Sequence, residues 1–411
     1  MKQSSLNSSS EILINDRTTY RDQAFTIYTT AVGGEQIYIV ASVKDKNADP
    51  IAVCREIYFQ IADIIKQTRI QIIQEKIYGS ISIHKNILKE RKDVLRECGI
   101  DEEFPITYIQ GKPFWGEGFS GLQICAVKLS QPQDEVWTIY EDGIPCGRGM
   151  KKNETTYLSL QNIHGFLEND SNNSRAEQVG RMFDKINSLL QKNGADYKNV
   201  VCTRIYISDI LDWYKEFNSV RNAKYTGFGI IPTQSEKLIT EQIYLPASTG
   251  IQADNPNNAA TVMNVLAIIK GSNSQVEIEH NNGSKQKSAF RYGSAFSRSA
   301  VIREPNNKCI LVSGTAAIDE QGISLFPANP HEQMRKTFEI VDALINKEGA
   351  TLKDICHATV FLKRPEDISI YQEVAKEYGL EDMPAVFMIA DVCRDELLFE
   401  IDAIAAVENI D

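Results

Sequence analysis

HEQMRKTFEIVDALINKEGATLKDICHATVFL, residues 331–362, holds the pattern that decides the fold. Met334, Phe338, Ile340, Val341, Leu344 and Ile345 recur at helical spacing and give a helix over His331–Lys347 one buried face. Gly349 is placed to stop that helix, and a short acidic turn leads into the β-rich run CHATVFL. Working outward, Asp367–Tyr378 reads as a second helix closed by Gly379. Pro384 opens the strand AVFMIADV, and LLFEIDAIAAV (397–407) is a last strand. Upstream, a hairpin is expected across Ala300–Ser324, turning at Asp319-Glu320-Gln321-Gly322.

The same order occurs twice more. Arg175–Lys192 is a helix with Val179, Met182, Phe183, Ile186 and Leu189 on one face, ended by Asn193-Gly194-Ala195. VVCTRIYISDI, a helix over Trp213–Tyr225, a strand opened by Pro246 and TVMNVLAII follow. In the first third, a helix over Ala52–Gln67 precedes QIIQEKIYGSIS. A helix over Lys85–Cys98, a strand opened by Pro105 and GLQICAV complete that copy. The chain therefore reads as α+β and as three tandem copies of one unit. The expected divisions are a frayed tail over 1–20, a first copy over 21–130, a second over 131–284 and a third over 285–411.

The bulk properties bound the function. The 411 residues suit two or three domains, and 42% hydrophobic with 24% charged residues is a globular balance. No run approaches the ~20 apolar residues of a bilayer span, and MKQSSLNSSS lacks the apolar core of a secretory leader. A net charge of −11 with no basic patch disfavours nucleic acid as a partner. Eight scattered cysteines without a CxxC pair and five dispersed histidines point to reduced thiols in the cytoplasm, and to no structural metal.

FSRSAVI, ILVSGTAAIDEQGI, the helix with Gln333, GATLKDICHATVFL, MPAVFMIADV and FEIDAIA together resemble the RidA/YjgF family over Phe296–Val407. That resemblance implies a six-stranded sheet packed by two helices, of the bacterial chorismate mutase type, and members that trimerise with ligand sites between subunits. Three copies in one chain would then make an internal pseudo-trimer, a monomer needing no partner chain. Imine-deaminating members carry a substrate-gripping arginine two residues after the proline of the Pro-strand. Here Val386, Ser248 and Thr107 stand there, and none can make a bidentate contact to a carboxylate. The endoribonuclease label sometimes given to the family does not suit this acidic chain either.

A narrower resemblance, to chorismatases, rests on YGSAFSR (292–298), VSGTAA (312–317) and ADVCRDELLFEID (390–402), with TRIYISDILDWYKEFN (203–218) and YLPASTGI (244–251) in the middle copy. It covers about residues 135–409 and leaves the first copy as an addition to the usual plan. It implies cofactor-free cleavage of the enolpyruvyl ether of a small anionic metabolite, chorismate, to pyruvate and a 3- or 4-hydroxybenzoate. The alternatives are a RidA-like imine or enamine deaminase, and a non-catalytic binder of aromatic or carboxylate metabolites.

Cleaving an enol ether needs a proton on its methylene carbon, and a buried carboxylic acid supplies one near neutral pH. Glu400, in LLFEIDAIAAV, is the candidate acid, with Gln123 and Asn264 read at its position in the other copies. Strand parity puts Glu400 and Asp402 on one face, which is either solvent or an interdomain cleft. By the resemblance, Cys393 acts beside the substrate ring and leans toward an aromatic product. Arg298 with Tyr292, and Arg204 with Tyr206, are the candidate carboxylate clamps. Gly314, Thr315 and Ala316, within SGTA, would let backbone approach a ligand. His164 and His357 read equally as hydrogen-bonded structural residues or as catalysts.

Overall fold

The computed structural model describes residues 17–115, 117–168, 173–231, 245–281 and 295–409. The first copy runs β1 (Arg17–Arg21), β2 (Phe25–Val32), β3 (Gln36–Val43), α1 (Pro50–Thr68), β4 (Gln71–Gly79), α2 (His84–Glu97), β5 (Thr107–Gln110), β6 (Lys112–Pro113) and β7 (Phe119–Val127). The second runs β8 (Glu135–Glu141), β9 (Ile144–Lys152), β10 (Thr155–Ile163), α3 (Arg175–Lys192), β11 (Val200–Ile207), α4 (Ile210–Gly227), β12 (Ala247–Gln252) and β13 (Thr261–Lys270). The third runs β14 (Glu277–Asn281), β15 (Ser299–Arg303), β16 (Asn307–Thr315), α5 (Pro330–Asn346), β17 (Ile355–Leu362), α6 (Ile368–Glu377), β18 (Ala385–Ile389) and β19 (Phe399–Glu408).

Local chemistry sets the helix ends. Asp49 accepts the N–H groups of Ile51 and Ala52 at the start of α1, and Ser174 with Glu177 forms a reciprocal capping box on α3. Gly194 and Gly349, at φ of 77° and 79°, take the left-handed turn that follows α3 and α5.

Each copy folds its strands into a sheet of one order: β1-β2-β3-β7-β4-β5, β8-β9-β10-β13-β11-β12, and β14-β15-β16-β19-β17-β18 with β6 added at the edge. The strand after the first helix shifts register at the same place in all three, between Ile72 and Gln74, Val200 and Cys202, and Ile355 and His357. Each sheet buries one face under its two helices, in separate cores around Ile57 and Ile124, Phe183 and Val265, and Phe338 and Ile401. The opposite faces meet one another, and two further apolar clusters there draw residues from all three copies. The molecule is thus an intrachain pseudo-trimer of α+β units. Among the described residues, no helix is long and apolar enough to cross a membrane.

Three sequence expectations need adjusting. Of the tail expected over 1–20, residues 1–16 lie outside the described ones, but Arg17–Tyr20 belong to β1, paired with β2. On the N-terminal side of the 284/285 division, β14 pairs with β15 and forms the edge of the third sheet. The hairpin turns at Glu304–Asn306, between β15 and β16, where Pro305 favours a tight turn. Asp319–Gly322 is a separate turn with only an Ile318–Ser324 bridge beneath it.

Candidate active site

Along β19, Phe399, Ile401, Ala403 and Ala405 enter the core beneath the helices. Glu400 and Asp402 therefore face inward between copies, with 4% and 2% of their surface exposed. Asp402 accepts from Arg204 Nε at 2.9 and 3.0 Å and from the Thr249 hydroxyl. Thr249 in turn accepts the Gly314 N–H at 2.9 Å. This chain of bonds fastens the third copy to the second around Glu400.

Register corrects the alignment of the copies. Thr359 pairs with Asp402 and Val386, Arg204 with Asn264 and Thr249, and Lys76 with Gln123 and Thr107. Gln123 and Asn264 are therefore counterparts of Asp402, not of Glu400, and Thr249 rather than Ser248 matches Val386. Two residues on, Phe361 pairs with Glu400, Tyr78 with Gly121 and Tyr206 with Val262. Neither Gly121 nor Val262 can donate a proton, so the asymmetry among the copies remains. The three inward residues each reach into another copy: Gln123 donates to the Ala358 carbonyl, Asn264 accepts from Thr107, and Asp402 holds Arg204 and Thr249.

The neighbouring strand is irregular beside Glu400. β16 shifts register between Val312 and Thr315, where β3 runs unbroken from Gln36 to Ser42. The shift bows Ser313-Gly314 away from β19. In the first copy, Gly121 is instead pressed against the Ala41 carbonyl, 2.0 Å from where a Cβ would lie. A Cβ at Gly314 would lie 2.2 Å from Glu400 Oε1 and 2.9 Å from Thr249 Cγ2. Gly314→Ala is therefore expected to cost about 1–3 kcal/mol of unfolding free energy in a denaturant melt; an unchanged midpoint would show that Glu400 yields freely.

Burial, then the nearby Asp402 charge, pushes the Glu400 carboxyl up to about 8, against the opposing pull of Arg298. It is a neutral acid at pH 7. Cys393 lies in the segment joining β18 to β19, which Gln333 clamps by donating to the Glu396 carbonyl and accepting the Leu398 N–H. Burial and then Glu400 push its thiol up to about 12, so it is a neutral donor rather than a thiolate. Arg298, 2% exposed, lies 5.3 Å from the Phe296 ring and within electrostatic reach of both groups.

The remaining sequence candidates separate. Tyr292 lies outside the described residues. Arg204 is engaged by Asp402, and Tyr206 packs with Tyr78 in the inward apolar cluster. The Thr315 hydroxyl donates to the Ser313 carbonyl, and Ala316 joins the same apolar cluster as Tyr206. Two residues of α4 come to the site without having been singled out. Arg221, 1% exposed, is 5.9 Å from Phe296 on the ring that Arg298 also approaches. Tyr214 feels the charges of Cys393 and Glu400 and is pushed up to about 12, chiefly by burial. The site therefore brings together a carboxyl whose protonated form burial favours, a thiol, a phenol and two buried guanidinium groups.

Comparison with known proteins finds relatives in sequence and in fold. Residues 287–407 match the family model described as Endoribonuclease L-PSP. The chain is 30% identical over 107 residues to the RutC family protein UK114 of Drosophila melanogaster, spanning 26% of this chain and 77% of that protein. It is 33% identical over 101 residues to the RutC family protein PYRAB12510 of Pyrococcus abyssi, spanning 24% and 79%. A crystal structure of a chorismatase superposes with a TM-score of 0.56 over 81% of this chain and 92% of its own, at 16% identity. That last likeness is one of fold.

Proposed function

The chain belongs to the RutC family, with a chorismatase-like RidA fold, and from that premise we propose that it cleaves the enolpyruvyl ether of chorismate, releasing pyruvate and a hydroxybenzoate. The observation that carries the proposal is Glu400, a carboxyl buried between the second and third copies within electrostatic reach of Arg298, where burial favours its protonated form. Its proton goes to the terminal methylene carbon of the ether: the electron pair of that double bond makes the new C–H bond, and a lone pair of the ether oxygen completes an oxocarbenium ion. Arg298 and Arg221, which both approach the Phe296 ring, are the cations assigned in this reading to the two substrate carboxylates. The ring C–O bond then breaks, its electron pair going to the ether oxygen, which leaves as the carbonyl oxygen of pyruvate; the ring cation gives a proton back to Glu400 and becomes a hydroxybenzoate. Trapping by water instead gives pyruvate and a non-aromatic diol.

In this reading Cys393, a neutral thiol within electrostatic reach of Glu400, steers the ring toward the aromatic outcome. Cys393→Ala is expected to keep pyruvate release within about tenfold of the parent while moving product from hydroxybenzoate to diol; an unchanged product ratio removes Cys393 from the chemistry. The reading itself is tested by incubating the chain with chorismate, reducing the pyruvate with lactate dehydrogenase and separating ring products chromatographically. Pyruvate from the parent and only background from Glu400→Gln support it. No pyruvate from the parent overturns it and leaves a binder of such anions.

A further inference from the structure

On the helical side of the third sheet, opposite the face that carries Glu400, two helices bring together residues that lie far apart in sequence. His331 stands in the first turn of α5, and Glu373 and Glu377 stand one turn apart on α6, the second of them its last residue. Phe338 of α5 packs on Tyr378, the residue after α6, with ring centroids 5.4 Å apart, and this contact holds the two helices together. One ligand atom from each of His331, Glu373 and Glu377 falls within 4.8 Å of the other two. The imidazole is partly buried, and both carboxylates are exposed.

The charges and distances around this imidazole point to a metal ion. Glu373 and Glu377 are like charges at i and i+4, a spacing that destabilises a helix unless a cation offsets it. Glu332 adds a third carboxylate, 3.5 Å from His331 Nδ1. Against these three stands the exposed Arg335, whose Nε is 3.7 Å from Glu377 Oε2. Glu373 ion-pairs with no cation among the described residues. On its other side, His331 Nε2 lies 3.4 Å from Glu377 Oε1. That is long for a charge-assisted hydrogen bond, which closes to about 2.7–2.9 Å. It matches the separation of two ligands on one tetrahedral zinc ion, about 3.4 Å for metal–ligand bonds near 2.1 Å. A carboxylate facing the far nitrogen, as Glu332 does here, is the common companion of a metal-bound imidazole.

We propose that His331, Glu373 and Glu377 form a binding site for a divalent transition-metal ion of the zinc class, with water completing its coordination. One imidazole with two carboxylates suits such an ion, whereas magnesium prefers all-oxygen, octahedral surroundings. The ion ties the start of α5 to the end of α6 and so stabilises the third copy. The site stands independently of the reaction assigned to Glu400.

The probe is cobalt(II), added to the untagged full chain after chelator treatment, because its spectrum reports the ligand set. One equivalent is expected to bind, with visible bands of nitrogen and oxygen ligation and without the near-ultraviolet charge-transfer band of a thiolate. Zinc should displace it, and magnesium should not. Binding should raise the melting temperature of the parent but not that of His331→Ala. His331→Ala and Glu377→Gln, both at accessible positions, should each weaken cobalt about tenfold or more. Glu400→Gln should leave binding intact. No binding by the parent at millimolar cobalt, a thiolate band, or undiminished binding in His331→Ala or Glu377→Gln would each overturn the proposal. Loss of binding in Glu400→Gln would place the ion elsewhere and overturn it too.

Discussion

Glu400→Gln is expected to slow pyruvate release by about 100- to 10,000-fold, the usual worth of a positioned general acid, while raising the melting temperature at pH 8. The two effects share a cause. The folded protein holds the Glu400 proton up to about pH 8, whereas an unfolded chain releases it near the ordinary value of 4.5. Between those values the folded state binds more protons, so stability falls as pH rises through that window. Glutamine has no proton to lose and escapes the penalty, whose ceiling is about 5 kcal/mol from the size of the shift. The variant's advantage in melting temperature should be nil near pH 4 and widen to pH 8. In the parent, the rate should fall as pH rises through about 8, where the acid is lost. A variant as active as the parent, or a melting difference independent of pH, contradicts the role given to Glu400.

Asp402→Ala is expected to cost about 3–5 kcal/mol in a urea melt, because it strands a buried guanidinium. Arg204 keeps only its contact to the Cys202 sulfur, and Thr249 loses the acceptor that ties the third copy to the second. Replacing both charges, Arg204→Met with Asp402→Leu, should recover most of the loss, since an apolar pair pays no desolvation. The Asp402 charge also helps to hold the Glu400 proton. Its removal should therefore move the alkaline limb of the rate to lower pH. A loss under about 1 kcal/mol would mean that this pair is worth no more than a surface one.

Much of this was legible in the chain. Helical periodicity placed α3 at Arg175–Lys192 to the residue, and the proline before each short strand marked β5, β12 and β18. Alternation along β19 put Glu400 and Asp402 on one face, but that this face turns inward rather than to solvent depends on how the copies pack. What alternation could not show was which of the two matches Gln123 and Asn264. Both lie on one face two residues apart, and only the pairing of β19 with β17 separates them. The turn at Glu304–Asn306 was overlooked in favour of the more glycine-rich Asp319–Gly322. Arg221 was passed over because an arginine on a helix reads as solvated. Its place in the stripe of Trp213, Phe217 and Tyr225 was the available sign that it is buried. Tyr214 gave no such sign, since its role depends on a contact between copies.

The central claim is that one proton donor works between the second and third copies, and a crystal of Glu400→Gln soaked with chorismate tests it most directly. The account predicts chorismate bound there, its methylene carbon against the side chain at position 400 and its carboxylates on Arg298 and Arg221. Chorismate bound only at another junction between copies, or with its ether turned away from position 400, would contradict it.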